Sequence, residues 1–250
     1  MKYFIHIPKT AGTSLRAAVF GAKLGCGKVR AVYSAEDYAA LTDNGGCESN
    51  TLFFGHFSFG IHQLLGDASP QYVTVIRNPV DRVVSLYNHH MRFPSSPYHA
   101  MLNEQRLSLI DFVEGCITPE TNNEVVRNLS ASYDRLPLWC DRVANRWWQL
   151  SRGLPTRQIN EKFRLRLALR NVKRYFKHVG LVEEIEVTGN FLEQWMHLRP
   201  GSVVIPRENE YRGERVTLSA GERVAIENAN ELDLELYQCA HRGELSGLHG

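Results

Sequence analysis

The feature that most constrains this chain is a strand that runs into a helix through a loop of lysine, glycine and hydroxyl residues: Phe4-Ile5-His6-Ile7-Pro8-Lys9-Thr10-Ala11-Gly12-Thr13-Ser14-Leu15. Tyr3 to Ile7 are β-formers, and Leu15, Ala18, Val19 and Ala22 recur at helical spacing directly afterwards. At such a joint the first backbone N–H groups of the helix have no intrahelical partner, and together they carry about half a positive charge. A segment with that chemistry reads as an anion site, most often for phosphate. The competing reading is an ordinary turn with a surface lysine.

A second segment repeats the pattern. Tyr72-Val73-Thr74-Val75-Ile76 is a buried strand, Arg77 leaves it, Asn78 suits a helix N-cap and Pro79 the first helical position. Val80, Val83, Val84 and Tyr87 form the apolar stripe of the following helix, while Asn78, Asp81, Arg82 and Ser85 are expected on another face. Arg77 and Ser85 can then grip a second phosphate, the guanidinium supplying a fork of charge-assisted donors. Against this stands a plain salt bridge between Arg77 and Asp81. Two strand–cation–helix units in one chain call for a ligand with two anionic ends.

Between these segments, Thr51-Leu52-Phe53-Phe54 is a short strand ended by Gly55-His56. A parallel strand would deliver His56 to the carboxyl edge of a sheet, where open α/β folds bind ligands. An imidazole there suits a general base for a hydroxyl, and a structural hydrogen-bonding role is the alternative. His62, His89 and His90 have no comparable placement in the sequence. A Gly27-Lys28 pair lacks the earlier glycine and the following hydroxyl of a G-x-x-x-x-G-K-[ST] loop, so it reads as a connector.

With 250 residues, 43% of them hydrophobic, the chain can bury one substantial core. It reads as a single domain over 1–250, with regular alternation lost across a substrate-shaping insertion at about 92–160. A net charge of +2 gives no bulk attraction to nucleic acid. No apolar run has transmembrane length, and no signal peptide precedes the first strand. The five cysteines are scattered, with no C-x-x-C pair, which fits a reducing cytoplasm and speaks against a zinc site. Arg157 to Lys177 reads as an amphipathic basic helix, His178 to Val182 and Val203 to Ile205 as strands, and Ser219 with Glu222 as the capping box of one last helix.

Pro8-Lys9-Thr10-Ala11-Gly12-Thr13-Ser14 resembles the 5′-phosphosulfate loop of sulfotransferases, and Arg77-Asn78-Pro79 with Arg82, Ser85 and Tyr87 resembles their 3′-phosphate motif. The run is similar to bacterial members related to the heparan sulfate 2-O- and 6-O-sulfotransferases. Gly55-His56-Phe57-Ser58, the Asn123–Leu129 stretch and the closing Glu231–Tyr237 extend the likeness over nearly the whole chain. The resemblance implies an α/β, P-loop-like three-layer fold with a central, mainly parallel sheet flanked by helices. It also implies binding of 3′-phosphoadenosine 5′-phosphosulfate (PAPS), released as 3′,5′-bisphosphoadenosine (PAP), with no metal. Lys9 would stabilise the leaving group, with Thr10, Gly12, Thr13 and Ser14 completing the cradle. Arg77 and Ser85 would take the 3′-phosphate, Arg127 and Arg212 would add cofactor contacts, and His56 would be the base.

The expected acceptor is a hydroxyl on a glycan or glycolipid, in a cytoplasmic, bacterial protein. The rival readings are a P-loop small-molecule kinase, which needs the missing magnesium-binding loop, and a polyanion-binding module built on the basic helix.

Overall fold

The computed structural model describes residues 1–22, 28–43, 50–131, 161–205 and 217–245. Its centre is a five-stranded sheet of β1 (Lys2–Ile5), β2 (Val29–Val32), β3 (Leu52–Gly55), β4 (Gln71–Ile76) and β5 (Phe176–Leu181). The strand order is β2-β3-β1-β4-β5 and every pairing is parallel. Parallel strands need crossovers, and helices supply them. The first four helices are α1 (Gly12–Gly21), α2 (Ala35–Asp43), the single turn α3 (Ile61–Leu64) and α4 (Pro79–Arg92). Next come α5 (His99–Glu104), α6 (Leu109–Glu114), α7 (Glu124–Ser130) and α8 (Glu161–Tyr175). The last three are α9 (Ile185–Trp195), α10 (Ala220–Ala229) and α11 (Glu231–His241).

Alternation along the strands separates two cores. Tyr3, Ile5, Phe53, Tyr72 and Phe176 face α7, α8 and α11, whereas Phe4, Phe54, Val73 and Val75 face α1 and α9. In-register pairing turns the first face into a ladder of rings, Phe53–Tyr3–Tyr72–Phe176, with centroids 5.3, 4.8 and 5.3 Å apart. On the opposite face Phe4 stacks on Phe54 at 4.6 Å. A third cluster packs α4 against α5, α6 and α10 through Val83, Leu86, Phe112 and Ile226. The structure is therefore an α/β arrangement of a parallel sheet flanked by helices, as the resemblance implied. No helix among the described residues is long and apolar enough to cross a membrane.

Several elements differ from the sequence expectation. Strand β2 was not anticipated, because Val29-Arg30-Ala31-Val32 is short, lies at the sheet edge and is fully buried only at Val32. Val203 to Ile205 adds no strand; Val203 packs into the α1–α9 core and its amide donates to Glu193 Oε1 at 2.9 Å. The basic helix stops at Tyr175, where Phe176 enters the ring ladder as the first residue of β5. The last helix is two helices, since Asn230 breaks the run to serve as a buried junction to Thr121 and Ile226. The capping box of Ser219 and Glu222 and the N-cap of Asn78 with Pro79 behind it form as read.

Candidate active site at the carboxyl edge of the sheet

The chain leaves β1 through a loop held in an unusual backbone shape. Lys9 (φ 69°) and Ala11 (φ 60°) both adopt the left-handed region, which costs a residue with a Cβ about 1–2 kcal/mol. Strain of this kind collects at functional sites, and left-handed residues next to a helix start are the backbone setting in which successive amides can meet an anion. Thr10 braces the loop, its hydroxyl donating to the Ile7 carbonyl at 2.8 Å from a buried position. Ser14 is buried as well, while Thr13 is exposed on the first turn of α1. Gly12 is needed for space: a Cβ there would lie 1.5 Å from His6 Nε2.

Lys9 and Arg77 come together at this edge. Burial first, and then the nearby Arg77 guanidinium, hold the Lys9 ammonium below the usual lysine range. Neither cation has a carboxylate or hydrogen-bond partner among the described residues, and the salt bridge between Arg77 and Asp81 does not form. The two stand close despite their repulsion because β1 and β4 are paired neighbours, tied also by the Thr74 hydroxyl donating to the Ile5 carbonyl at 2.9 Å. Ser85 is half-buried on α4 without a partner among the described residues. One helical turn beyond it, His89 feels the Lys9 charge, which adds to burial in lowering its pKa. The Ser85-to-His89 spacing was the signal in the sequence that could have found this second histidine.

Other expected members are placed differently or lie outside the described residues. Arg82 does not share a face with Ser85. It is fully buried, donating to Glu124 Oε2 at 2.7 Å, to the Glu120 carbonyl at 2.9 Å and to Asn230 Oδ1 at 3.3 Å. Tyr87 likewise points into the α4–α6 core and donates to the Leu107 carbonyl at 2.8 Å. Arg127 is buried with its two terminal nitrogens donating to the Asn122 and Pro119 carbonyls, and its Nε has no partner among the described residues. Arg212 lies outside the described residues, as do 132–160 of the expected insertion. At the start of α4 the Asn78 amide donates to Glu183 Oε1 at 3.4 Å, so a carboxylate already occupies that helix end. An anion beside α4 would be met by Arg77 and Ser85 side chains.

His56 leaves β3 at the same edge. Gly55 before it is obligatory, since a Cβ would lie 1.9 Å from the Val32 carbonyl oxygen of the neighbouring strand. His56 Nδ1 sits 2.8 Å from the backbone carbonyl of His6. A carbonyl only accepts, so Nδ1 carries the proton, and the lone pair of the neutral ring is on Nε2. That tautomer is the one a base needs. Among the described residues no three His, Cys, Asp or Glu side chains converge as metal ligands would.

No family model matches the chain, and no curated protein matches it. Among solved structures, the crystal structure of a sulfotransferase from Alicyclobacillus acidocaldarius is similar at 16% identity. The match covers 94% of this chain and 98% of that one, with a TM-score of 0.44.

Proposed function

We propose that the protein is a sulfotransferase that moves the sulfuryl group of PAPS to an acceptor hydroxyl. The observation that carries this reading is the pairing of Lys9 and Arg77 at one sheet edge without a carboxylate between them. Two cations held together against their own repulsion are explained by an anionic ligand that relieves it. A nucleotide with a 5′-phosphosulfate and a 3′-phosphate has the two anionic ends required.

Each residue then has a task. The amides of the Lys9–Ser14 loop and the Lys9 ammonium hold the 5′ end, where negative charge grows on the departing phosphate oxygen. Arg77 and Ser85 hold the 3′-phosphate, with Arg127 and Arg212 as further contacts to test. His56 accepts the acceptor's hydroxyl proton at Nε2 as the new sulfur–oxygen bond forms. The bond between sulfur and the bridging phosphate oxygen breaks, and PAP leaves with that electron pair. By analogy with phosphoryl transfer, positioning and charge stabilisation provide most of the acceleration, and the sulfuryl group carries less charge than a terminal phosphoryl. The acceptor we favour is a glycan or glycolipid hydroxyl, in keeping with the sequence resemblance, and the reaction as written needs no metal.

A thermal-shift comparison tests the reading. PAP without metal should stabilise the protein, by about 2.7 kcal/mol at a hundred times its dissociation constant. Stabilisation by Mg-ATP alone would make it a kinase. The His56→Ala protein should bind PAP and lose turnover with PAPS and a panel of glycans and lipid extracts; unaltered turnover removes His56 as the base.

A further inference from the structure

Two histidines end neighbouring strands here. β1 and β3 run in register, Phe4 opposite Phe54 and Ile5 opposite Gly55, so the next pair along is His6 and His56. The pairing continues through that step, His6 N donating to the Gly55 carbonyl at 2.8 Å and His56 N to the Val32 carbonyl at 2.9 Å. Same-parity positions share a face, and the Phe4–Phe54 stack is followed by a His6–His56 stack with centroids 4.4 Å apart and planes 27° apart. The His6 ring is wedged in place from the other side too. Its Nε2 fills the space a side chain on Gly12 would need, and its Nδ1 is 3.0 Å from the Tyr33 hydroxyl. The Tyr33 ring also closes edge-on against His56 at 4.8 Å, with Arg16 over it at 5.1 Å.

We infer that His6 is a positioning residue for His56, a fixed wedge between the anion loop and the base. Its backbone carbonyl accepts a hydrogen bond from His56 Nδ1–H, and its ring sets the plane in which His56 Nε2 is offered. This rests on the reading of His56 as the base. His6 cannot take that part itself. Its Nδ1 is engaged by the Tyr33 hydroxyl, which burial keeps protonated. Burial first, then the charges of His56, Arg16 and Lys9, hold His6 well below the usual histidine range, so it stays neutral while its neighbour changes charge. The arrangement also joins the two halves of the site: a change at Gly12 reaches His56 through the His6 ring.

The test uses the full chain labelled with ¹⁵N-histidine, whose long-range ¹H–¹⁵N spectra report ring tautomers directly, with His56 assigned from a His56→Gln spectrum. The wild-type spectrum should show His56 protonated at Nδ1 and His6 as a neutral ring. In His6→Ala the backbone carbonyl remains, so His56 should keep its Nδ1 proton while its ring signals shift with loss of the stacked neighbour. PAP release from PAPS should fall about 10²-fold, the scale of a mispositioned base, while PAP affinity changes by less than about threefold. His6→Gln, which restores a planar amide, should recover about tenfold of that loss. If His6→Ala does not fold, Tyr33→Phe removes only the hydroxyl that engages His6, and the ring signals of His6 and of His56 stacked on it should both shift while PAP affinity holds. A His56 signal unchanged in His6→Ala, a His6 signal unchanged in Tyr33→Phe, or PAP affinity falling in step with turnover would overturn the assignment. A wild-type protein that fails to bind PAP would instead remove the sulfotransferase reading, and the His56 ring signals would still decide whether the His6 ring orients His56.

Discussion

Arg77 and Arg82 lie within one short stretch of chain, yet their guanidiniums meet opposite conditions. Arg82 is enclosed where α4, α7 and α11 meet, on Glu124 at 2.7 Å with Asp233 3.9 Å away. The same knot continues through Asp233, which accepts from the Val125 and Val126 amides, and through Asn123 and Asn230. Arg77, half-buried at the sheet edge, has no ion-pair partner among the described residues and lies near enough to Lys9 for the two charges to oppose each other. A cation sealed among carboxylates joins the helices around it, whereas a cation left beside another cation has no such counter-charge among the described residues.

The two regions should separate cleanly under mutation. Arg82→Ala leaves Glu124 and Asp233 buried without their counter-charge, and removing one partner of such a cluster costs about 3–5 kcal/mol. Urea denaturation should show that loss as a lower midpoint. If the midpoint barely moves, the knot is not what fixes α4 against α7 and α11.

Lys9→Ala should do the reverse. Stability stays within about 0.5 kcal/mol of wild type, because the change removes a repulsion and no pairing. PAPS turnover should fall by about 10³-fold, the cost of losing one donor aimed at developing charge. A comparable loss of stability in this variant would make Lys9 structural. Arg77→Ala sits lower on the scale: PAP affinity should weaken by about 1.5–3 kcal/mol, as for a lost hydrogen bond to a charged group, with the unfolding midpoint unchanged. Calorimetry with PAP reads the first quantity and denaturation the second.

The same contrast explains what could be read from the sequence. Both strand–cation–helix joints were visible, because proline, glycine and hydroxyl residues at strand ends have local causes. His56 was visible for a related reason, since a glycine before a strand-terminal histidine marks a tight edge. The partition of Arg77 from Arg82 was not legible. Both arginines are compatible with the polar side of α4, and only the distant Glu124, Asn230 and Asp233 draw Arg82 inward. His6 was hidden in plain view inside the anion segment, as its role depends on the register of β1 against β3. Edge strand β2 escaped notice because four weakly apolar residues have no periodicity of their own.

The finest distinction between the two regions is protonic. Lys9 is held below the ordinary lysine range by burial and by Arg77, so its charged form is disfavoured in the free protein. An anion bound against it favours the ammonium and moves the pKa back up. Between the free and the ligated values the free protein is partly deprotonated and the complex is protonated, so PAP binding should take up a proton. The window lies just below the ordinary lysine range, and the uptake should fade toward neutral pH, where Lys9 is charged in both states. Calorimetry of PAP binding at alkaline pH, in buffers with different ionisation enthalpies, measures it. Lys9→Arg keeps the charge and cannot lose it in that range, so the uptake should disappear while binding persists. Uptake surviving in Lys9→Arg would assign the proton to another group and break the link between the strained loop and the unpaired cation.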